Sequence, residues 1–189
     1  MEKTGVQKLA GVLKVLVTST IGCNLLALFL VPGLALLKGF GPLLELTPYE
    51  TALELPARVW MVFVMSWVWV WRSGAYDVVL TLFLLFCGCC TAVILWQGRQ
   101  VLDTILAGTP FAPRNAASLR RAGLCCFLIS CAALLRLVWG LFYYQSPAPL
   151  LTYNALFVPV FLMAGLLCQV MAALFRQAGE LKAENDLTI

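Results

Sequence analysis

Histidine is missing from all 189 residues of this chain. Its absence removes the commonest general base, metal ligand and pH sensor at once. Classical zinc hydrolases and Ser-His-Asp enzymes are excluded with it. Charge is also scarce: Asp, Glu, Lys and Arg make up 12% of the residues, against about a quarter in an ordinary soluble domain. Room is scarce too, since four apolar runs use nearly half the length and leave none for a separate soluble catalytic domain. No nucleophile clusters with a base, so an enzyme acting on lipids finds no support, and the reading is of a non-enzymatic protein without cofactor.

What is present is apolar. Hydrophobic residues reach 62% and the mean hydropathy is +0.92. The runs 15–37, 78–96, 122–144 and 153–175 are each about 19 to 23 residues long, and about 20 residues of helix cross the roughly 30 Å hydrocarbon core. The expected fold is an all-α membrane protein in one domain, residues 1–189, with four transmembrane helices. The basic lead-in of Lys3, Lys8 and Lys14 would suit a signal peptide, but the run after it exceeds the 7–15 residues typical of one. It reads as an uncleaved first span, bent near its outer end by Pro32 and Gly33.

Basic residues set the orientation. Lys3, Lys8 and Lys14 precede span one, and Arg99, Arg114, Arg120 and Arg121 lie between spans two and three against a single acid, Asp103. Loop 38–77 carries Glu45, Glu50, Glu54 and Asp77 against Lys38, Arg58 and Arg72; residues 145–152 are uncharged. Four spans with both termini cytoplasmic put every basic cluster inside. The expected localisation is therefore the cell membrane, multi-pass. The extracytoplasmic loop contains a Trp-rich run, residues 59–71, about 20 Å long as a helix and too short to cross. Its Val and Trp content suits a strand or an interfacial outer-face element, either anchoring the loop or serving as a sensing lid. A longer helix from Pro56 into span two is the other course.

Residues 97–121 form the cytoplasmic hairpin. Val101, Leu102, Ile105 and Leu106 recur at helical spacing, so span two continues to about Ala107. Gly108 occupies the left-handed position after a helix, and Pro110 follows where no helix need continue. Pro113 keeps the turn open, and Asn115 is expected to cap the next helix, which passes through Ala116–Arg121 into span three. Phe111, apolar on a short polar turn, either plugs the helix pair or anchors a partner, with Arg114, Arg120 and Arg121 as a positive rim. Anionic headgroups would equally explain those arginines, at about 1 kcal/mol each. They are too few, and lack interleaved aromatics, for direct nucleic-acid binding.

Gly108-Thr109-Pro110-Phe111, then Asn115, then Leu119-Arg120, together with the ending Leu181-Lys182-Ala183-Glu184-Asn185-Asp186-Leu187-Thr188-Ile189, resembles a bacterial membrane family catalogued as domain of unknown function 2975 (DUF2975). The resemblance implies four spans in this order, a hairpin carrying the first motif and no enzyme activity. It also implies a genetic neighbourhood, a small helix-turn-helix DNA-binding protein encoded alongside, and hence a sensor or regulator that relays a membrane signal to such a partner. Physically, the tail reads as a cytoplasmic lock. Span four runs on through residues 176–183, and Glu180, Glu184 and Asp186 face the hairpin arginines. The alternative is that residues 186–189 add as a strand to another protein.

Within the spans, Arg136 is costly unless it faces protein or water. Asp77, Asn154 and Tyr153 are its candidate partners. It either snorkels outward or contacts a ligand, and the second course would make the protein a small transporter or a defence against membrane-active agents. Asn24 and Gln169 are expected to join helices by hydrogen bonds. The cysteines Cys23, Cys87, Cys89, Cys90, Cys125, Cys126, Cys131 and Cys168 all lie inside spans, where they read as small packing residues without disulfides or metal. Beyond the lipid bilayer, a homo-oligomer stays open.

Overall fold

The computed structural model describes residues 5–37 and 55–186. Lys3, Lys38, Glu45, Glu50, Glu54 and the terminal Leu187, Thr188 and Ile189 lie outside the described residues, as do the side chains of Arg58, Tyr153 and Asp186. Among the described residues five α-helices follow one another: α1 (Gly5–Leu37), α2 (Leu55–Trp69), α3 (Ala75–Leu106), α4 (Pro113–Tyr144) and α5 (Tyr153–Asp186). Short 3-10 turns lie at Val70–Arg72 and Ala148–Leu151.

Four of the five helices, all but α2, are long and apolar enough to cross a membrane, as the hydropathy expects. Their apolar side chains face outward. Between 6% and 28% of each apolar window is buried within the chain, and residues such as Leu26, Leu135 and Leu167 stay exposed. In water such a surface would be untenable; against lipid tails it is ordinary. Association between these helices therefore rests on small residues and interhelical hydrogen bonds.

The chain divides into two compact units, residues 25–88 and residues 1–24 with 89–189. In the first, α2 packs on the second half of α1. The Trp60 ring stacks on Phe29 with centroids 5.2 Å apart, the Trp67 indole N–H donates to the Phe29 carbonyl at 3.1 Å, and Phe63 lies directly over Gly33. The Trp-rich run is thus helical and neither a strand nor an extension of span two. Extended backbone at Ser73 separates its 3-10 turn from α3. Tertiary contacts to α1 override its β-leaning composition, as strand propensity often is overridden. Helix α1 continues through the buried Pro32 to Leu37.

In the second unit α4 and α5 run antiparallel along their length. Arg120 meets Gln169, Gly123 meets Gly165, Ser130 meets Val158 and Arg136 meets Asn154. A Cβ on Gly123 would come within 3.0 Å of the Gly165 carbonyl, so the α4 backbone reaches that carbonyl because Gly123 lacks a side chain, and a Cβ on Gly165 would come within 2.6 Å of the Phe127 ring. The Ser130 hydroxyl donates to the Val158 carbonyl at 2.8 Å, just before Pro159 interrupts the α5 ladder. That bond supplies polar cohesion beside a helix turn that proline weakens.

Candidate docking site at the helical hairpin

Helix α3 ends at Leu106, and Gly108 then takes φ +76°. Only glycine adopts this conformation without a steric penalty. Helix α4 begins at Pro113 with Ala112 as its N-cap residue, and no side chain caps it. The expectation for Asn115 is therefore corrected. Proline at the first helical position fixes the start three residues earlier than supposed, which puts Asn115 inside the first turn. Its side chain leans back toward the helix N-terminus. There the amide donates to the Thr104 hydroxyl at 2.6 Å and to the Pro110 carbonyl at 2.7 Å. Asn115 is fully buried; it ties the turn to α3 and offers nothing to a partner.

Further polar contacts stitch this end together. Thr104 donates to the Val101 carbonyl, the Ser118 hydroxyl faces Gln100 at 3.4 Å, and Lys14 of α1 pairs with Asp103 of α3 at 2.7 Å. Sequence reasoning missed Thr104, Gln100, Ser118 and the Lys14–Asp103 pair. The one available signal was polar residues recurring every three or four positions from Gln97 to Thr104 on an otherwise apolar helix.

Phe111 is 44% exposed. Its ring lies 6.1 Å from that of Phe175 on α5, and its carbonyl sits where a Cβ on Gly179 would come within 3.1 Å. Phe111 thus rests against the last helix while keeping nearly half its surface free. It lines a hollow of about 710 Å³ with Phe175, Ala116, Arg120, Arg176 and Glu180. Arg114, Arg120 and Arg121 are exposed, Leu119 is half-buried, and Gly108 and Pro110 flank Phe111 on the turn.

Glu180 departs from expectation. Glu180 pairs with Arg176 at 3.4 Å along its own helix instead of with the hairpin arginines. Residues 181–186 continue α5, with Glu184 and Asn185 exposed. Within the second unit, Lys8, Lys14, Arg99, Arg114, Arg120, Arg121, Arg176 and Lys182 all belong to the end where α3 turns into α4.

Arg136 donates to the Asn154 side-chain oxygen at 3.3 Å. Asp77, in the first turn of α3, belongs to the other unit. Gln169 joins α5 to α4 through the Arg120 carbonyl at 3.3 Å, whereas the Asn24 oxygen is buried without a hydrogen-bond partner among the described residues. The eight cysteines are free thiols. Cys90 lies near Cys125 and Cys126 near Cys168, so these thiols fill interfaces between neighbouring helices. Among the described residues no group of three or more His, Cys, Asp or Glu could hold a metal ion.

The architecture is that of an all-α membrane protein with four long apolar helices and a tightly tied hairpin. The chain belongs to the family described as "Protein of unknown function (DUF2975)", whose model matches residues 45–189. No curated protein and no solved structure matches it.

Proposed function

We propose that this protein is a non-enzymatic membrane regulator whose hairpin end holds a cytoplasmic partner and relays to it a change sensed in the bilayer. The observation that carries the reading is Phe111, a rigid aromatic left 44% exposed at the mouth of a hollow rimmed by arginine. Aromatic anchors ringed by arginine are the residues that dominate protein–protein affinity. Relay would run along α5, one unbroken helix from the apolar span to the wall of that hollow. A partner with an acidic, apolar-centred patch suits the surface, and the helix-turn-helix protein implied by the family resemblance is the candidate. The transporter reading loses ground because Arg136 is turned to Asn154 within its own helix pair.

The experiment is direct binding of the purified full chain to that helix-turn-helix protein, produced separately. Phe111→Ala is expected to weaken binding at least about tenfold, the loss typical of an anchor residue, while Arg136→Leu leaves it unchanged. A wild-type protein that fails to bind overturns the reading, as does solute flux in liposomes that Arg136→Leu abolishes.

Concentration of basic residues at one end supports an orientation with the hairpin and both termini in the cytoplasm. In a variant whose native cysteines are replaced by alanine or serine, Arg114→Cys is then expected to resist a membrane-impermeant maleimide in intact cells and to react after lysis. Labelling from outside would invert the topology.

A further inference from the structure

We propose that the groove between α4 and α5 is a binding site for an anionic phospholipid, with the phosphodiester held by Arg120 and Arg121 and an acyl chain laid over Leu124 and Phe127. A second hollow, of about 530 Å³, is lined by these four residues with Ala117 and Gln169. It adjoins the Phe111 hollow, and the two share Ala117, Arg120 and Gln169.

Its two ends differ in chemistry. At one end stand two guanidinium groups, both exposed, and among the described residues neither has a carboxylate in ion-pair reach. Glu180 is held by Arg176 and Asp103 by Lys14, so among the described residues no carboxylate is paired with Arg120 or Arg121. At the other end, Leu124 and Phe127 lie four and seven residues further along α4, about 6 and 10 Å deeper at 1.5 Å per residue. That direction leads into the apolar span.

A ligand that satisfies both ends must carry negative charge at its head and hydrocarbon below. Guanidinium pairs bind phosphate oxygens in bidentate fashion, and basic pockets between membrane helices at the cytoplasmic face are where such headgroups are held. A soluble anion would leave the apolar half unused, and an acidic peptide would have to bury backbone at hydrocarbon depth, where lipid-exposed irregular backbone is not tolerated. Ala117 keeps the groove open. Gln169 is held at its wall by the bond its amide donates to the Arg120 carbonyl at 3.3 Å. The inference does not rest on the partner reading, since the site needs only lipid.

Native mass spectrometry of the purified full chain, offered equimolar phosphatidylglycerol and phosphatidylcholine with identical acyl chains, tests it in the absence of any partner. The wild type is expected to retain the anionic lipid at least about fivefold over the zwitterionic one. Arg120→Gln with Arg121→Gln is expected to bring the ratio near unity, because it removes both cations that attract the headgroup. Ala117→Phe fills the groove with both arginines intact and is expected to lower retention of the anionic lipid similarly; Arg114→Gln, outside the groove, leaves it unchanged. Equal retention of both lipids by the wild type overturns the proposal. So does an undiminished preference in Ala117→Phe, which would mean surface attraction alone, or displacement of the bound lipid by millimolar inorganic phosphate, which would mean an anion site with no use for the acyl chain.

Discussion

Asn115→Ala is expected to destabilise the detergent-solubilised protein by about 2–3 kcal/mol, the sum of two broken hydrogen bonds and a carbonyl left unpaired. The side chain is fully buried and its amide is the hydrogen-bonding link from the turn to both Thr104 and Pro110. Thr104→Val removes one of those acceptors and is expected to cost about 1 kcal/mol. The two substitutions should be non-additive, because each deletes the same Asn115–Thr104 contact. Asn115→Asp is the sharper probe. At neutral pH it would set a carboxylate oxygen against the Pro110 carbonyl, acceptor against acceptor, and the Thr104 hydroxyl could donate to the charge only by giving up its bond to the Val101 carbonyl. Its loss should exceed that of alanine. Chemical unfolding in mixed micelles, followed by far-ultraviolet circular dichroism, gives the ranking, and an Asp variant as stable as the wild type would contradict the assigned amide geometry.

This lock shows where sequence reasoning succeeds in such a chain and where it stops. Hydropathy locates the spans because lipid imposes one local rule on every residue facing it, and the described helices Ala75–Leu106 and Pro113–Tyr144 carry those spans with ends that project beyond the core. Gly108 and the prolines around Phe111 are equally legible, since backbone geometry at a break is a local matter. For Asn115 the sequence points to the right motif and the wrong task. Its residue type suits a cap, and only the contact with Thr104, eleven residues away across the turn, reveals the other use.

The Trp-rich segment misleads for a related reason. Val and Trp favour strands when nothing else decides, but here Phe29 and Gly33, some thirty residues earlier, receive the side chains of a helix. The spacing of Trp60, Phe63 and Trp67 at i, i+3 and i+7 is helical, but Val and Met at the positions between them obscure it. Glu180 likewise looks complementary to the hairpin by charge alone, whereas Glu180 and Arg176 stand four residues apart on one helix and satisfy each other first, as such pairs do. The candidate groove could not be read at all. Arg120 and Arg121 are visible as charges, but the hydrocarbon half of the site depends on which faces of α4 and α5 meet, and that is set by Gly123 and Gly165.

Those glycines define the second large effect. Gly123→Val is expected to separate α4 from α5 and to cost about 3 kcal/mol or more, above the usual range for an added methylene group, because what it meets is not a movable side-chain tip. The Gly165 carbonyl would lie 3.0 Å from the new Cβ, with the Cys168 Cβ and the Gln169 amide nitrogen each at 3.1 Å. Backbone can give way only by shifting a whole helix, and that shift would also strain the Ser130–Val158 and Gln169–Arg120 bonds on either side. In lipid no hydrophobic force redocks helices held apart, since tails solvate leucine as well as leucine does. Gly22→Ala supplies the comparison: nothing lies within 4 Å of its Cβ position, so relief of glycine's helix penalty should leave stability unchanged or raise it by up to about 1 kcal/mol. A crosslink between Cys126 on α4 and Cys168 on α5, which lie near each other across the same interface, reads the outcome directly. It should form readily in Gly22→Ala and fail in Gly123→Val, and efficient crosslinking in Gly123→Val would show that the two helices are not held by glycine contact.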